Sequence, residues 1–171
     1  SNVCYIFRLP EGLNMPINFS PKVGQILTCN YGNYLKDEKG DVVSTAVDAH
    51  IPPEMIKCRL VVVLNGRLNG NACIVVPIST TKDTAKLNNG LHVELPEGII
   101  KAAKYFPQTT SWVKCDMVQT VSNQRLSRPM EVGRGWITQM LSREIVTNLQ
   151  KAVIKAINAT ALVPAQQESE Q

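Results

Sequence analysis

The 171-residue chain contains few aromatic residues, few histidines and no long apolar segment. Aromatic side chains make up 5% and histidines number 2, so Val, Ile, Leu, Ala and Met must supply the hydrophobic core. No apolar run approaches the roughly 20 residues of a membrane-spanning helix, and no charged-then-apolar leader begins the chain. We therefore expect a soluble protein that is not secreted and does not enter a membrane.

Cysteines are too few and too scattered to form a disulfide framework or a zinc cluster. Their number is odd and no two lie close together in the sequence. Free cysteines are typical of a reducing compartment, which predicts a cytoplasmic location. The five positions are Cys4, Cys29, Cys58, Cys73 and Cys115.

Signatures of common nucleotide-binding and hydrolytic sites are absent as well. The sequence has no glycine-rich phosphate loop, no nucleophile elbow and no paired-histidine motif. The 18 Lys and Arg against 14 Asp and Glu give a net charge of +4. This moderate excess permits binding to a polyanion but does not establish it.

Apolar runs and alternating segments predict a sheet of short strands. Uninterrupted Val and Ile runs at residues 58–65 and 71–79, joined by a hairpin-type link, are typical of strands buried on both faces. Further strands are predicted at residues 24–31, 91–95 and 112–118. A polar loop is predicted at residues 80–90 and a short helix at residues 97–105.

A closing helix and two terminal segments complete the predicted architecture. Residues 1–22 are predicted to be an extension, residues 23–160 a single domain and residues 161–171 a disordered tail. These elements favour a mainly β, α+β fold, a small curled sheet of the SH3-like barrel type with a C-terminal helix. The helix begins after the N-cap Ser142 and places one apolar face at Ile145, Leu149, Val153, Ala156 and Ile157.

Polar residues at the ends of these apolar strands are the candidate functional residues. Glu54 precedes Arg59, which opens one predicted strand, and a Ser-Thr-Thr sequence at residues 79–81 closes the next. Lys114 and Asp116 are predicted to share one face of a third strand, because residues two apart in a strand point the same way.

In this order and spacing, the segments resemble the MazF/PemK/Kid family of toxins from bacterial toxin–antitoxin modules. The resemblance covers the predicted body of the chain. It is carried by GQIL at residues 24–27, Glu54 followed by RLVVV at residues 59–63, PIST at residues 77–80 and VKCDMVQT at residues 113–120.

The resemblance implies an SH3-like barrel that forms a homodimer and cleaves single-stranded RNA. It implies a metal-independent endoribonuclease, an mRNA interferase that needs no cofactor and is restrained by an acidic antitoxin protein. Such cleavage uses the RNA's own 2′-hydroxyl, and needs a base near that hydroxyl, an acid at the leaving oxygen and donors around the phosphate. The 2′-hydroxyl requirement also favours RNA over DNA.

Residue by residue, the resemblance assigns five catalytic positions. Arg59 corresponds to the family's arginine that clamps the phosphate and donates a proton. Ser79 corresponds to its active-site threonine and Thr80 to the neighbouring residue. Asp116 corresponds to the aspartate base, and Lys114 stands where an arginine acid is usual, which removes the bidentate guanidinium fork.

Three further positions are assigned to substrate binding. Glu54 corresponds to the loop glutamate that orients Arg59, and His50 to the loop histidine of the same branch, while Thr81 follows the active-site pair. Leu60 replaces the proline that usually follows the arginine, and IPP at residues 51–53 replaces a Gln-rich loop. The family's cleavage-sequence preference therefore does not transfer.

Taken without the resemblance, the same residues have structural explanations. On that interpretation, Arg59 and Glu54 would form a surface ion pair, residues 79–81 would cap a strand, and His92 would be structural or solvent-facing. Two other functions also fit the fold: a non-enzymatic gyrase poison related to CcdB, and an inactive binding module. The set Arg59, Ser79 and Asp116 separates the nuclease from both, since neither alternative needs it.

Overall fold

The computed structural model describes residues 15–164, apart from residues 132 and 134. Cys4, most of the predicted N-terminal extension and residues 165–171 of the predicted tail lie outside the described residues. The strands are β1 (Ile26–Asn30), β2 (Cys58–Asn65), β3 (Ala72–Ser79), β4 (His92–Leu95), β5 (Ser111–Lys114), β6 (Gln119–Ser122) and β7 (Leu126–Ser127). The helices are α1 (Thr84–Asn88) and α2 (Arg143–Ala156), and short 3₁₀ turns occupy Cys115–Met117, Asn123–Arg125 and Thr160–Leu162.

One seven-stranded antiparallel sheet runs in the order β4-β5-β3-β2-β1-β7, with β6 also paired to β3. Strand β3 is central in the sheet. One of its edges pairs with β2, and the opposite edge is divided between β6 and β5. Its first half pairs with β6, from Ala72 opposite Ser122, and its last residues pair with β5, where Ser79 lies opposite Trp112. The prediction of a mainly antiparallel β fold is confirmed.

Two apolar layers lie on opposite faces of this sheet. Alternate residues of β2 divide between them: Leu60 and Val62 belong to one layer, and Val61 and Val63 to the other. We call the first layer the helix-side core, since α2 packs on it, and the second the inner core. The inner core contains Ile17, Leu27, Cys29, Tyr31, Val61, Val63, Cys73, Val75, Val121 and Leu126.

The C-terminal helix α2 begins where predicted. Ser142 Oγ accepts a hydrogen bond from the backbone N–H of Ile145, which caps the helix. The buried residues are Val146, Leu149 and Ala152, and complete burial of a leucine such as Leu149 stabilises a fold by about 1.5–3 kcal/mol. The predicted face is wrong at its end, because Ile157 lies past the last helical turn and is 63% exposed.

Three local predictions are wrong. The segment 80–90 is not all loop, because Asp83 Oδ1 accepts a hydrogen bond from the backbone N–H of Lys86 and so caps α1. Residues 97–105 form turns and no helix, since Gly98 has a φ of +92°. The strand predicted over residues 112–118 ends at Lys114, after which the chain enters a 3₁₀ turn.

The first described residues of the chain pack against the sheet at β7. The N–H of Ile17 donates to the carbonyl of Leu126 at 3.0 Å, and Ile17 is buried in the inner core. The domain boundaries after residues 22 and 160 stay predictions. No helix in the described part of the chain has the length and apolarity needed to cross a membrane.

Candidate active site

The inner-core face of the sheet changes from apolar to polar toward one end of β2, β3 and β5. Along β2, Arg59 points to the same side as the inner-core residue Val61, and Ser79 points to the same side as Val75 on β3. The β2–β3 register pairs Val61 with Pro77, and continuing it by two residues sets Arg59 opposite Ser79. The two predicted residues therefore share one face at neighbouring strand ends.

Lys114 and His92 extend this polar face across the next two strands. Val113 faces the helix-side core, so Lys114, which follows it on β5, faces the opposite way. His92 on β4 lies directly opposite Lys114 in the antiparallel register. The sheet thus brings side chains from four strands to one polar surface.

A groove of about 610 Å³ opens on this surface, beside the loop of residues 31–57 that joins β1 to β2. Four predicted site residues line it, namely His50, Glu54, Lys114 and Asp116, whereas Arg59 and residues 79–81 lie outside its lining. The other lining residues are Pro53, Met55, Asp83, Lys86, His92, Met117, Val118 and Gln119. No group of three or more His, Cys, Asp or Glu side chains placed to hold a metal ion occurs among the described residues.

Asp116 reaches the groove from a 3₁₀ turn, so the prediction that it shares a strand face with Lys114 is wrong. The turn Cys115–Met117 follows β5 directly and buries Cys115 in the helix-side core. The Asp116 carboxylate accepts a hydrogen bond at Oδ1 from His92 Nε2, 2.8 Å away. Its Oδ2 lies 2.9 Å from the ammonium nitrogen of Lys86. Both carboxylate oxygens are therefore occupied.

These contacts keep Asp116 ionised. Burial alone would raise the pKa of its carboxyl group, but the hydrogen bonds from Lys86 and His92 and their charges outweigh burial, so the pKa lies below its ordinary value of 3.8. The same partnership raises the pKa of the Lys86 ammonium group, chiefly through its hydrogen bond to Asp116. At neutral pH the groove therefore holds a fixed carboxylate–ammonium pair.

His92 and Lys86, the groove residues that contact Asp116, are among those that sequence reasoning missed. The side chain of His92 is only 3% exposed, and its Nδ1 is buried with no hydrogen-bond partner in the described part of the chain. The alternating LHVEL segment placed His92 on one strand face but did not reveal which strand lies beside it. Lys86 lies on α1, in the segment predicted as loop, and the Asp83 cap was the signal that could have revealed this helix.

The β1–β2 loop supplies the opposite side of the groove. Glu54 Oε2 accepts a hydrogen bond from the backbone N–H of Ile51 at 2.7 Å and lies 3.6 Å from His50 Nδ1. The hydroxyl of Tyr34 donates to the backbone carbonyl of Glu54 at 3.1 Å and so fixes the loop. The carboxylate of Glu54 is thus engaged within its own loop.

Arg59 is held by its backbone neighbourhood and not by Glu54. Its Nε donates to the carbonyl of Ile56 at 3.3 Å, and no ion pair to Arg59 occurs among the described residues. Ser79 Oγ accepts a hydrogen bond from the backbone N–H of Thr81 at 3.1 Å, so the serine also caps its strand. Thr80 and Thr81 are exposed at the edge of this surface.

Comparisons with known proteins assign this chain to a family. Residues 38–157 match the family model of the "PemK-like, MazF-like toxin of type II toxin-antitoxin system". The chain is 54% identical over 149 residues to the uncharacterized protein YifN of Escherichia coli strain K12, covering 87% of this chain and 99% of that protein. It is also 45% identical over 143 residues to an uncharacterized protein of Haemophilus influenzae strain Rd, covering 84% and 94%.

Two similar solved structures come from mycobacteria. One is an endoribonuclease in complex with its cognate antitoxin from Mycobacterial species, at 11% identity, with a TM-score of 0.48 and coverage of 85% of this chain and 99% of that chain. The other is the toxin MazF-mt6 of Mycobacterium tuberculosis, at 20% identity, with a TM-score of 0.42 and coverage of 61% and 91%. The family match over residues 38–157 confirms the resemblance: the chain belongs to the PemK-like, MazF-like toxins of type II toxin–antitoxin systems.

Proposed function

We propose that this protein is the toxin of its module and cleaves single-stranded RNA without a metal ion. The observation that carries the proposal is the content of the groove, which combines two lysines, Lys86 and Lys114, with two carboxylate–imidazole pairs. Those pairs are Asp116 with His92 and Glu54 with His50. Cations attract the phosphate backbone, and carboxylates and imidazoles exchange protons.

The proposed reaction is attack by the RNA's 2′-oxygen on the adjacent phosphorus. A bond forms between the 2′-oxygen and phosphorus while the bond from phosphorus to the 5′-oxygen of the next nucleotide breaks. The 2′-hydroxyl proton passes to a base and a proton is returned to the leaving 5′-oxygen, which gives a 2′,3′-cyclic phosphate and a 5′-hydroxyl end. No outside reactant is needed, and DNA cannot react because it lacks the 2′-hydroxyl.

The described residues suit these steps as follows. Lys114, half-buried at the end of β5, protonates the leaving oxygen, and Arg59 with Ser79 donates hydrogen bonds to the phosphate from the neighbouring strand ends. Two groups in the groove have the chemistry to take the 2′-hydroxyl proton: Asp116, as the resemblance implies, and His50 on the covering loop.

The partners proposed from family membership are an acidic antitoxin and a second copy of this chain. The two groove lysines, Lys86 and Lys114, attract carboxylates as well as phosphates, so an acidic, partly disordered antitoxin segment competes for the same surface. A second copy would bury apolar surface that an 18.9 kDa chain otherwise leaves exposed.

The test is cleavage of a mixed-sequence single-stranded RNA by the purified protein. We expect cleavage that EDTA does not reduce, products ending in 2′,3′-cyclic phosphate, and no cleavage of DNA of the same sequence. The Lys114→Met variant should cleave at least tenfold more slowly. Its matched control is Lys151→Met, since Lys151 is exposed on α2, which packs on the opposite face of the sheet. Intact RNA after incubation with wild type would refute the nuclease proposal and favour a toxin that binds a protein target.

A further inference from the structure

Three groove side chains from three separate elements form one network of direct contacts. Lys86 comes from α1, Asp116 from the 3₁₀ turn after β5, and His92 from β4. Asp116 joins the other two, with Oδ2 at 2.9 Å from Lys86 Nζ and Oδ1 at 2.8 Å from His92 Nε2. Solvent exposure rises from one end of this network to the other: the side chains of His92, Asp116 and Lys86 are 3%, 18% and 43% exposed.

At the buried end of this network, the hydrogen bond between His92 and Asp116 has a defined direction. A carboxylate only accepts hydrogen bonds, so His92 Nε2 must carry the proton that it shares with Asp116. The other ring nitrogen, Nδ1, is buried with no hydrogen-bond partner in the described structure, so the ring is held through its contact with Asp116. His92 therefore serves as a hydrogen-bond donor to Asp116.

The same contacts make Asp116 a poor base. Each of its oxygens is already hydrogen-bonded, and the pKa of its carboxyl group is held below the ordinary value. A carboxylate in this state loses the partnership with Lys86 or His92 if it takes up a proton. The other charged or titratable side chains that line the groove around it are Lys114 on β5, Asp83 at the start of α1, and His50 and Glu54 on the covering loop.

Lys86, at the exposed end of this network, is a positioned cation whose ammonium group has further N–H donors available. An ammonium group has three N–H donors, and Asp116 engages one of those of Lys86. Because Asp116 holds this otherwise flexible side chain in one position, less conformational entropy is lost when Lys86 binds a second anion. Lys86 lines the groove together with Lys114, so the anion it meets there is a phosphate if the groove binds RNA.

We propose that Lys86 binds a backbone phosphate of the RNA in this groove, and that Asp116 and His92 are positioning residues that hold its ammonium group. This inference rests on the proposed function, because it takes RNA as the ligand. It assigns the 2′-hydroxyl proton to His50 and not to Asp116. Neither Lys86 nor His92 was among the residues that the family resemblance assigned.

The test measures binding and cleavage separately. Binding uses a fluorescent single-stranded oligonucleotide in which every nucleotide is 2′-deoxy, so that it cannot be cleaved. We expect Lys86→Met to weaken binding roughly tenfold and to lower the slope of log affinity against log salt by about 0.7, the value for one lost phosphate contact on a single strand. Lys86→Arg should restore both quantities, and Lys151→Met should change neither.

Asp116→Asn separates a positioning role from a base. As a positioning residue, its replacement should weaken binding of the deoxy oligonucleotide nearly as much as Lys86→Met, and the double variant should be little weaker than either single variant. His92→Leu, which removes the donor to Asp116, should weaken binding in the same direction. Unchanged binding by Asp116→Asn together with a large loss of kcat on RNA would show that Asp116 is the base and overturn this part of the proposal.

Lys86→Met carries the decisive result, because this half-exposed side chain can be replaced without disturbing the core. Wild-type affinity and wild-type salt slope in this variant would overturn the proposal. Failure of the nuclease proposal gives a different pattern: wild type then binds the deoxy oligonucleotide and leaves RNA intact. Melting curves of every variant confirm that the folded state is being compared.

Discussion

Replacing Arg59 with alanine tests whether the strand ends beside the groove belong to the active site. Arg59 lies opposite Ser79 on the polar face that also carries Lys114, although it does not line the groove itself. If its guanidinium stabilises charge that develops on the phosphate in the transition state, its loss should lower kcat/KM on RNA by about 10²–10³-fold. Binding of the uncleavable deoxy oligonucleotide should change much less.

The cost to stability follows from the contacts that Arg59 makes. Its side chain is half-buried, donates one long hydrogen bond to the carbonyl of Ile56 at 3.3 Å, and has no ion pair among the described residues. Loss of one such bond costs about 0.5–1.5 kcal/mol. For a chain of this size, the melting temperature should fall by no more than about 6 °C.

The assay compares Arg59→Ala with Arg67→Ala on one RNA. Arg67 is exposed in the link between β2 and β3, so its removal changes the net charge equally without touching the site. Equal cleavage rates for the two variants would remove Arg59 from the active site. A large loss of activity accompanied by a melting temperature lowered far beyond 6 °C would instead show that Arg59 is structural.

Strands β2 and β3 were predictable because their sequences are nearly continuous apolar runs. β2 occupies Cys58–Asn65 as predicted, and β3 begins one residue later than predicted, at Ala72. Both strands are buried on two faces, since one face meets α2 and the other fills the inner core. A strand that is buried on both faces does not need alternating polar and apolar residues, so an uninterrupted run of Val and Ile is the sequence pattern that indicates it.

The segments that were predicted wrongly are those in which tertiary contacts override local pattern. WVKCDMV alternates as a strand should, yet the chain enters a 3₁₀ turn after Lys114, and the buried Cys115 packs into the helix-side core from that turn. Residues 97–105 carry apolar residues at helical spacing, yet Ile100 and Ala103 are buried from turns that follow the left-handed Gly98. No local rule distinguishes these outcomes.

The candidate site shows the same division between local and distant information. Lys114 and Asp116 are neighbours in sequence and could be named from it, whereas His92 lies 24 residues before Asp116 and meets it only through the β4–β5 register. The register is set by which faces of the two strands are buried, with Val93 opposite Val113. A single sequence does not state which strands are neighbours, so the contact between Lys86, Asp116 and His92 could not be foreseen.

Three further predictions concern packing, assembly and pH. Leu149→Ala should lower the free energy of unfolding by about 2–5 kcal/mol in urea titrations, because Leu149 is fully buried on the face of α2 that packs on the sheet; a loss under 1 kcal/mol would contradict the described packing. Light scattering at micromolar concentration should give a dimer of the 18.9 kDa chain, and a monomer throughout would remove the homodimer proposal. Finally, the stability difference between wild type and Asp116→Asn should depend on pH. The folded-state pKa of Asp116 is lowered, so its contribution is present above the unfolded value of 3.8 and is lost as the pH falls through the folded value. Urea titrations of both proteins from pH 7 to pH 3 should therefore show the difference shrinking only below about pH 4. A difference that stays constant down to pH 3, or that grows on acidification, would show that Lys86 and His92 do not hold this carboxylate in its ionised form.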